Sequence, residues 1–252
     1  MTAADLPLPR AFALALWSAA HVRGASDLEA AVRAAHGTGH RHEDHAGADL
    51  RAWIAETSEL PGIRVAPLLP RPGRILGLVG PPAAVSAALD AGQALVVSAL
   101  GHAEHTLVPR TSTIGGPGDE GIVITWERHR APLGATVAEP PHGSARPALL
   151  AALRRAADSS THLDLVPDEA IGHERLPADW TTVEIPHDID PADAHLLVLA
   201  ARTLALTEAE LEDDDDARTL HDDARRTAIL RELRDAAGDA LVEGITRASR
   251  RD

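Results

Sequence analysis

The sequence predicts an α+β chain, with N-terminal helices and a small sheet of about five strands, followed by a mostly helical C-terminal part. Three observations carry that expectation. Apolar residues recur every three or four positions near both ends of the 252-residue chain, as in helices that bury one stripe. Between Ile63 and Arg130, short apolar runs alternate with Pro- and Gly-containing turns, the pattern of strands. Residues 134–147 then collect proline and glycine with little periodicity. They read as a linker between a helix-strand lobe, 1–133, and an acidic helical lobe, 148–252. The length equally suits one domain overall.

Each element has a local cause. Pro9 fits the first turn of a helix, where its missing N–H is no loss. The run 10–22 is apolar nearly all round and so reads as a buried helix, with Phe12 and Trp17 as its large side chains. Ser26 and Glu29 have the capping-box spacing for a second helix to His36, stopped by Gly37. A polar loop, 37–47, precedes a third helix in which Leu50, Trp53, Ile54 and Thr57 share a face. Strands are expected at 63–69, 74–79, 94–100, 106–109 and 121–130, with a short Ala-rich helix, 83–90, closed by Gly92. Past the linker, helices are expected over 147–158 and 217–248, with a short strand at 181–185. Asp190, Pro191 and Asp193 occupy Ncap, N1 and N3 of one more helix.

Composition excludes whole chemistries. The chain has 49 Ala and 32 Leu, but no Cys, Tyr, Lys or Asn, and one Gln, Phe and Met each. It therefore offers no thiolate, disulfide, Schiff-base lysine or tyrosine acid. A GC-rich genome is the simplest cause of these absences. The 24 basic residues are all Arg, against 38 Asp and Glu, for a net charge of −14. An acidic chain is a poor general binder of nucleic acid. The apolar run Ala11–Ala20 lacks the charge pattern and cleavage site of a signal peptide and falls short of a membrane span. A cytoplasmic protein with no membrane partner is expected.

The densest ligand-like stretch runs from His36 to His45. Imidazole and carboxylate are the natural ligands of zinc or nickel, so His40, His42 and His45 are the candidate metal ligands, with Glu43 as a possible base. The spacing lacks the helical His-Glu-x-x-His arrangement, and a solvated loop is the simpler explanation. His102 and His105, flanking Glu104 at the entry to a strand, read as a surface turn unless they converge with that loop. The set His187, Asp188, Asp190, Asp193 and His195 is explained by helix capping. Gly77 and Gly80 precede a helix, but Pro81 and Pro82 remove the N–H donors that a phosphate site needs. The acidic run from Glu208 to Asp216 reads as a solvated connection ahead of the last helix.

Leu6-Pro-Leu-Pro-Arg10-Ala-Phe-Ala-Leu-Ala-Leu-Trp17 and the run from Gly80 to Val97 resemble an uncharacterised protein family of high-GC actinobacteria. The Pro-rich segment after Trp126 and the Arg/Ala-rich last helix fit the same pattern. The resemblance implies no activity, cofactor or catalytic residue. His40 to His45 is richer in His than that family's loop, which argues against a shared catalytic site.

The leading expectation is thus a non-catalytic binding or regulatory protein, and the alternative a metal-binding protein or metal-dependent hydrolase. Charge says where a partner belongs. Residues 148–223 hold 19 acids against 5 Arg, whereas 1–147 hold 14 against 12 and 224–252 hold 5 against 7. A basic protein partner is expected to meet that central stretch. The Ala-rich stripe of the last helix fits a second copy or its own chain, which leaves a homo-oligomer undecided.

Overall fold

The most apolar strand, β4 (Ala94–Ala99), is buried along its whole length and organises the fold around it. The computed structural model describes residues 6–37, 41–44, 49–75, 77–115, 121–137, 143–163, 176–177, 179–212 and 220–249. β4 lies between β3 (Arg64–Leu68) and β5 (His102–Ile114), and β5 pairs with β6 (Gly121–Arg130), all antiparallel. A short strand, β2 (Arg41–Asp44), runs parallel to β6 and completes a five-stranded sheet of order β2-β6-β5-β4-β3.

Helices cover both faces of this sheet. Alternation along the strands aims Val65, Leu95, Val97, Leu107, Ile124 and Trp126 into the main core. There they meet α1 (Arg10–Val22), α2 (Leu28–His36) and α3 (Leu50–Ser58). The opposite face places Ala94 and Val108 against Ala87 and Ala88 of α4 (Pro82–Ala91). Caps match the local chemistry. The side chains of Asp27 and Asp49 accept from Ala30 N and Ala52 N, at 2.6 and 2.7 Å, and Gly92 ends α4 at φ +63°. Asp27, not Ser26, is therefore the cap of the second helix. Leu50, Trp53, Ile54 and Thr57 form the buried face of α3, as the spacing predicts.

The C-terminal part comprises α5 (Ala145–Leu163), β7 (Trp180–Val183), α6 (Pro191–Glu212) and α7 (Leu220–Ser249). β7 pairs antiparallel with β1 (Leu6–Pro9), a strand that periodicity does not announce. The Asp190 carboxylate accepts from Ala192 N at 2.8 Å, the expected start of α6. α7 packs on α1, α5, α6 and β3. One buried cluster runs from Leu6 to Ala248 and draws on residues from both sides of 134–147. Within that stretch Ala135 O accepts from Ala103 N at 2.8 Å, so the chain folds back along β5, and α5 has already begun at Ala145. Among the described residues no helix is long and apolar enough to cross a membrane.

Two other expectations are corrected. The described part of 74–79 forms no strand; Arg71 and Arg74 instead close a turn, and Gly77 at φ +89° interrupts the extended chain. Residues 41–44 are strand rather than loop.

Glu243 joins the C-terminal helices. It is buried, and its Oε2 accepts from Ala145 N, the first N–H of α5, at 3.1 Å. Its Oε1 accepts from Arg247, which also reaches Asp193 Oδ1 at 3.0 Å. A carboxylate at a helix N-terminus satisfies an orphan donor and the positive end of the dipole. Glu243→Ala is expected to lower stability by about 2–3 kcal/mol, because it uncaps α5 and takes away one of the two carboxylates that hold Arg247. Urea unfolding measures the loss. An unchanged midpoint with unchanged amide exchange at Ala145 would show that the contact is incidental.

Candidate functional site

Of the candidate metal ligands, the structure describes the backbone of His42 alone. His40 and His45 lie outside the described residues, and the backbone of His42 sits in β2, in register with Ile124. Ile124 faces Thr111 on β5, whereas His105 faces Arg130, six residues away along both strands. At the rise of an extended chain that is about 20 Å. The backbones of His42 and His105 therefore lie far apart along the sheet. Among the described residues no group of three or more His, Cys, Asp or Glu is placed to hold a metal ion.

His102 is exposed at the start of β5, but His105 is no surface turn. It is 1% exposed, and its Nε2 accepts from Trp53 Nε1 at 2.9 Å, with the rings edge-on at 85°. Burial and the nearby Arg128 push its pKa down to about 4. A ring whose Nε2 accepts carries its proton on Nδ1, which has no hydrogen-bond partner among the described residues. This neutral imidazole ties α3 to the sheet.

A second polar cluster gathers at the start of α1. Arg10 is 1% exposed, and its Nη1 donates to Ala35 O at 3.2 Å and His36 O at 2.6 Å, two of the last carbonyls of α2. Burial lowers its pKa to about 10, against the pull of Asp179. Gln93 serves the same end of α1. Its Oε1 accepts from Ala11 N at 2.9 Å, and its Nε2 donates to the Asp179 carboxylate at 2.5 Å. Burial raises the pKa of Asp179, and the hydrogen bond from Gln93 opposes that. Gly37, at φ +66°, closes the cluster; a Cβ there would lie 2.6 Å from Thr181 Oγ1.

On the sheet face that carries α4, Glu127 lies between Arg110, at 2.6 Å, and His129, at 3.5 Å. The period of two along β6 puts Glu127 and His129 on one side. The 3.5 Å separation of Glu127 and His129 is too long for a strong hydrogen bond, whereas Glu127 and Arg110 form a close ion pair.

Several other carboxylates among the described residues are ion-paired. Asp188 pairs with Arg23 at 2.7 Å, and Asp193 with Arg247. Glu208 and Glu210 belong to α6, and both are ion-paired rather than simply solvated. Glu210 meets Arg226 of α7, and Glu208 meets Arg71 at 3.0 Å. Arg71 also contacts Asp235, and Arg74 contacts Asp235 and Asp239. Burial, followed by the neighbouring Arg234, lowers the pKa of Arg71; the hydrogen bond to Asp239 raises that of Arg74. This ladder, two arginines of one turn on the carboxylates of α6 and α7, is the most extended charge constellation among the described ion pairs. Sequence reading missed it because its members are some 137 to 165 positions apart.

A family model described as Rv1486c-like protein, N-terminal domain, matches residues 11–143, just over half of the chain. The chain belongs to the Rv1486c-like family. The match takes in α1 to α4 and β2 to β6, the whole five-stranded sheet with its helices. It contains the run from Gly80 to Val97, but stops short of the last helix and of Leu6–Arg10. Arg71, Arg74, Trp53 and His105 thus fall inside the Rv1486c-like N-terminal domain, whereas Glu208, Asp235 and Asp239 lie beyond it. No curated protein and no solved structure matches the chain.

Proposed function

We propose that this Rv1486c-like chain is a non-catalytic binding or regulatory protein whose acidic segment, residues 148–223, meets a basic protein partner. A cytoplasmic setting in a GC-rich actinobacterium accords with the missing Lys and Asn. The charge distribution carries the reading: 19 acids against 5 Arg in this segment, beside a nearly balanced N-terminal half. Arginines from outside the segment already act as its counter-ions, as Arg23, Arg71, Arg226 and Arg247 reach Asp188, Glu208, Glu210 and Asp193. Four such pairs offset only part of an excess of fourteen acids. These pairs show that guanidinium groups can satisfy carboxylates of the segment, and a lopsided negative field speeds and orients the approach of a basic partner.

The test is binding of a labelled octa-arginine peptide to the full chain, read by fluorescence anisotropy. Binding is expected at 50 mM salt and is expected to weaken by roughly tenfold at 300 mM, as screening shortens the reach of exposed charges. Replacing Asp213 to Asp216 with Asn is expected to weaken it further, and octa-glutamate to show none. An octa-arginine peptide that stays unbound at low salt would overturn the reading.

A further inference from the structure

We propose that the Arg71-Pro72-Gly73-Arg74 turn is an internal plug. It occupies, in cis, the face of α6 and α7 on which an arginine-bearing partner docks in trans. The inference rests on the reading of the acidic segment and extends it to a particular surface. Four observations converge on it. The turn is closed by reciprocal hydrogen bonds, Arg71 N to Arg74 O at 3.1 Å and Arg74 N to Arg71 O at 2.8 Å, with Gly73 at φ +80°. That closure presents two guanidinium groups together, as a short arginine-containing peptide presents them. They meet carboxylates of two different helices, Glu208 on α6 and Asp235 and Asp239 on α7, the last two spaced one helical turn apart. The turn is thus a pair of guanidinium groups already seated on these three carboxylates, two of which Arg234 of α7 also approaches, at 4.0 and 3.8 Å.

Its outer arm, Arg74, is weakly attached, whereas Arg71 is 17% exposed. Pro72, Gly73, Arg74 and Ile75 are exposed, and Arg74, Asp235 and Asp239 keep 43%, 43% and 53% of their side-chain surface in solvent. Ion pairs that open to water contribute little and are screened by salt. Apolar anchoring ends before the turn, where Leu69 packs on Gly238 and Pro70 is buried. A partner that carries several arginines therefore competes first against the exposed pairs of Arg74, and then for the more buried carboxylate contacts of Arg71.

The experiment compares octa-arginine binding by the full chain, by Arg71→Gln/Arg74→Gln, and by Arg74→Gln alone, whose half-exposed side chain is not needed for folding. Arg146→Gln/Arg154→Gln, which removes two exposed arginines of α5, is the control of equal net charge. The plug predicts about fivefold tighter binding by the double variant than by either the wild type or the control. A smaller gain in the same direction is predicted for Arg74→Gln. Adding Asp235→Asn/Asp239→Asn to the double variant is predicted to cancel the gain. In the wild type, the peptide is predicted to speed amide exchange at Arg71 and Arg74, which no binding elsewhere on the surface would do.

A control that gains as much as the double variant, or exchange at Arg71 and Arg74 that ignores the peptide, overturns the plug. If the wild type still binds and Asp213 to Asp216 still matter in that case, the acidic segment keeps its partner and only the plug is lost. Failure of the peptide to bind any of these proteins removes both.

Discussion

Replacing Arg10 with methionine is expected to cost about 3–5 kcal/mol of folding stability, the usual range for breaking a buried charged network from one side. The side chain is 1% exposed and its guanidinium bonds two carbonyls at the C-terminus of α2. Methionine fills much of the same volume, so cavity formation adds little, and the loss isolates the polar contribution. Three groups are then stranded: the carbonyls of Ala35 and His36, and the carboxylate of Asp179, which loses the nearby positive charge. Arg10→Lys keeps the charge but not the planar fork, and is expected to recover only part of the loss. Urea unfolding gives the magnitude, and amide exchange at the end of α2 locates it. A loss under about 1 kcal/mol for Arg10→Met would mean that water replaces the guanidinium, and that the cluster is not a closed one.

That same cluster marks the boundary of what the sequence makes legible. Phe12, Leu14 and Leu16 announce a buried helix by composition, and Gly37 and Gly92 mark helix ends by their conformational freedom. Nothing near Arg10 announces where its hydrogen bonds go. Pro9, at the N-cap, has no side-chain donor or acceptor, so the N–H of Ala11 is met by Gln93 from 82 positions away. Long-range pairing hides strands for the same reason. Leu6–Pro9 has prolines at alternate positions, which argues against a strand until Trp180–Val183 supplies a partner on one edge. The outer half of β5, from Arg110 to Ile114, is largely exposed and without apolar alternation. It is held as strand by its register with Gly121–Thr125. Arg41–Asp44, four charged or polar residues read as loop, becomes strand through its backbone pairing with β6. The candidate sites follow suit. Clustering in sequence drew attention to His36–His45, whereas the arginine–carboxylate ladder and the Trp53–His105 pair assemble only in the fold.

The Trp53–His105 pair sets a pH dependence with a definite sign. The folded pKa of His105, about 4, lies below its ordinary value of 6.5. Between these values the unfolded chain binds a proton that the folded chain refuses. Stability from this residue is therefore complete above pH 6.5, declines as pH falls toward 4, and levels off below. The full difference is about 3 kcal/mol, from 1.36 kcal/mol per pKa unit. Geometry explains why the folded form resists protonation. Nε2 already accepts from the Trp53 N–H at 2.9 Å, and a second proton there would set donor against donor in a site without water access. His105→Gln keeps an acceptor but cannot titrate, so its stability is expected to fall less steeply than that of the wild type over this range. His36, whose pKa burial and Arg10 also lower, contributes a slope of the same sign that both proteins share. Asp179, with its raised pKa, contributes the opposite sign in both. The measurement is thus the difference in urea-unfolding free energy between the two proteins at pH 4.5 and at pH 7. Equal slopes would place the proton elsewhere and leave the Trp53–His105 contact as packing alone. Trp53→Phe supplies the complementary arm: it removes the N–H that Nε2 accepts, lets the folded chain protonate His105 more readily, and is expected to cost most stability above pH 6.5 while flattening the slope below it.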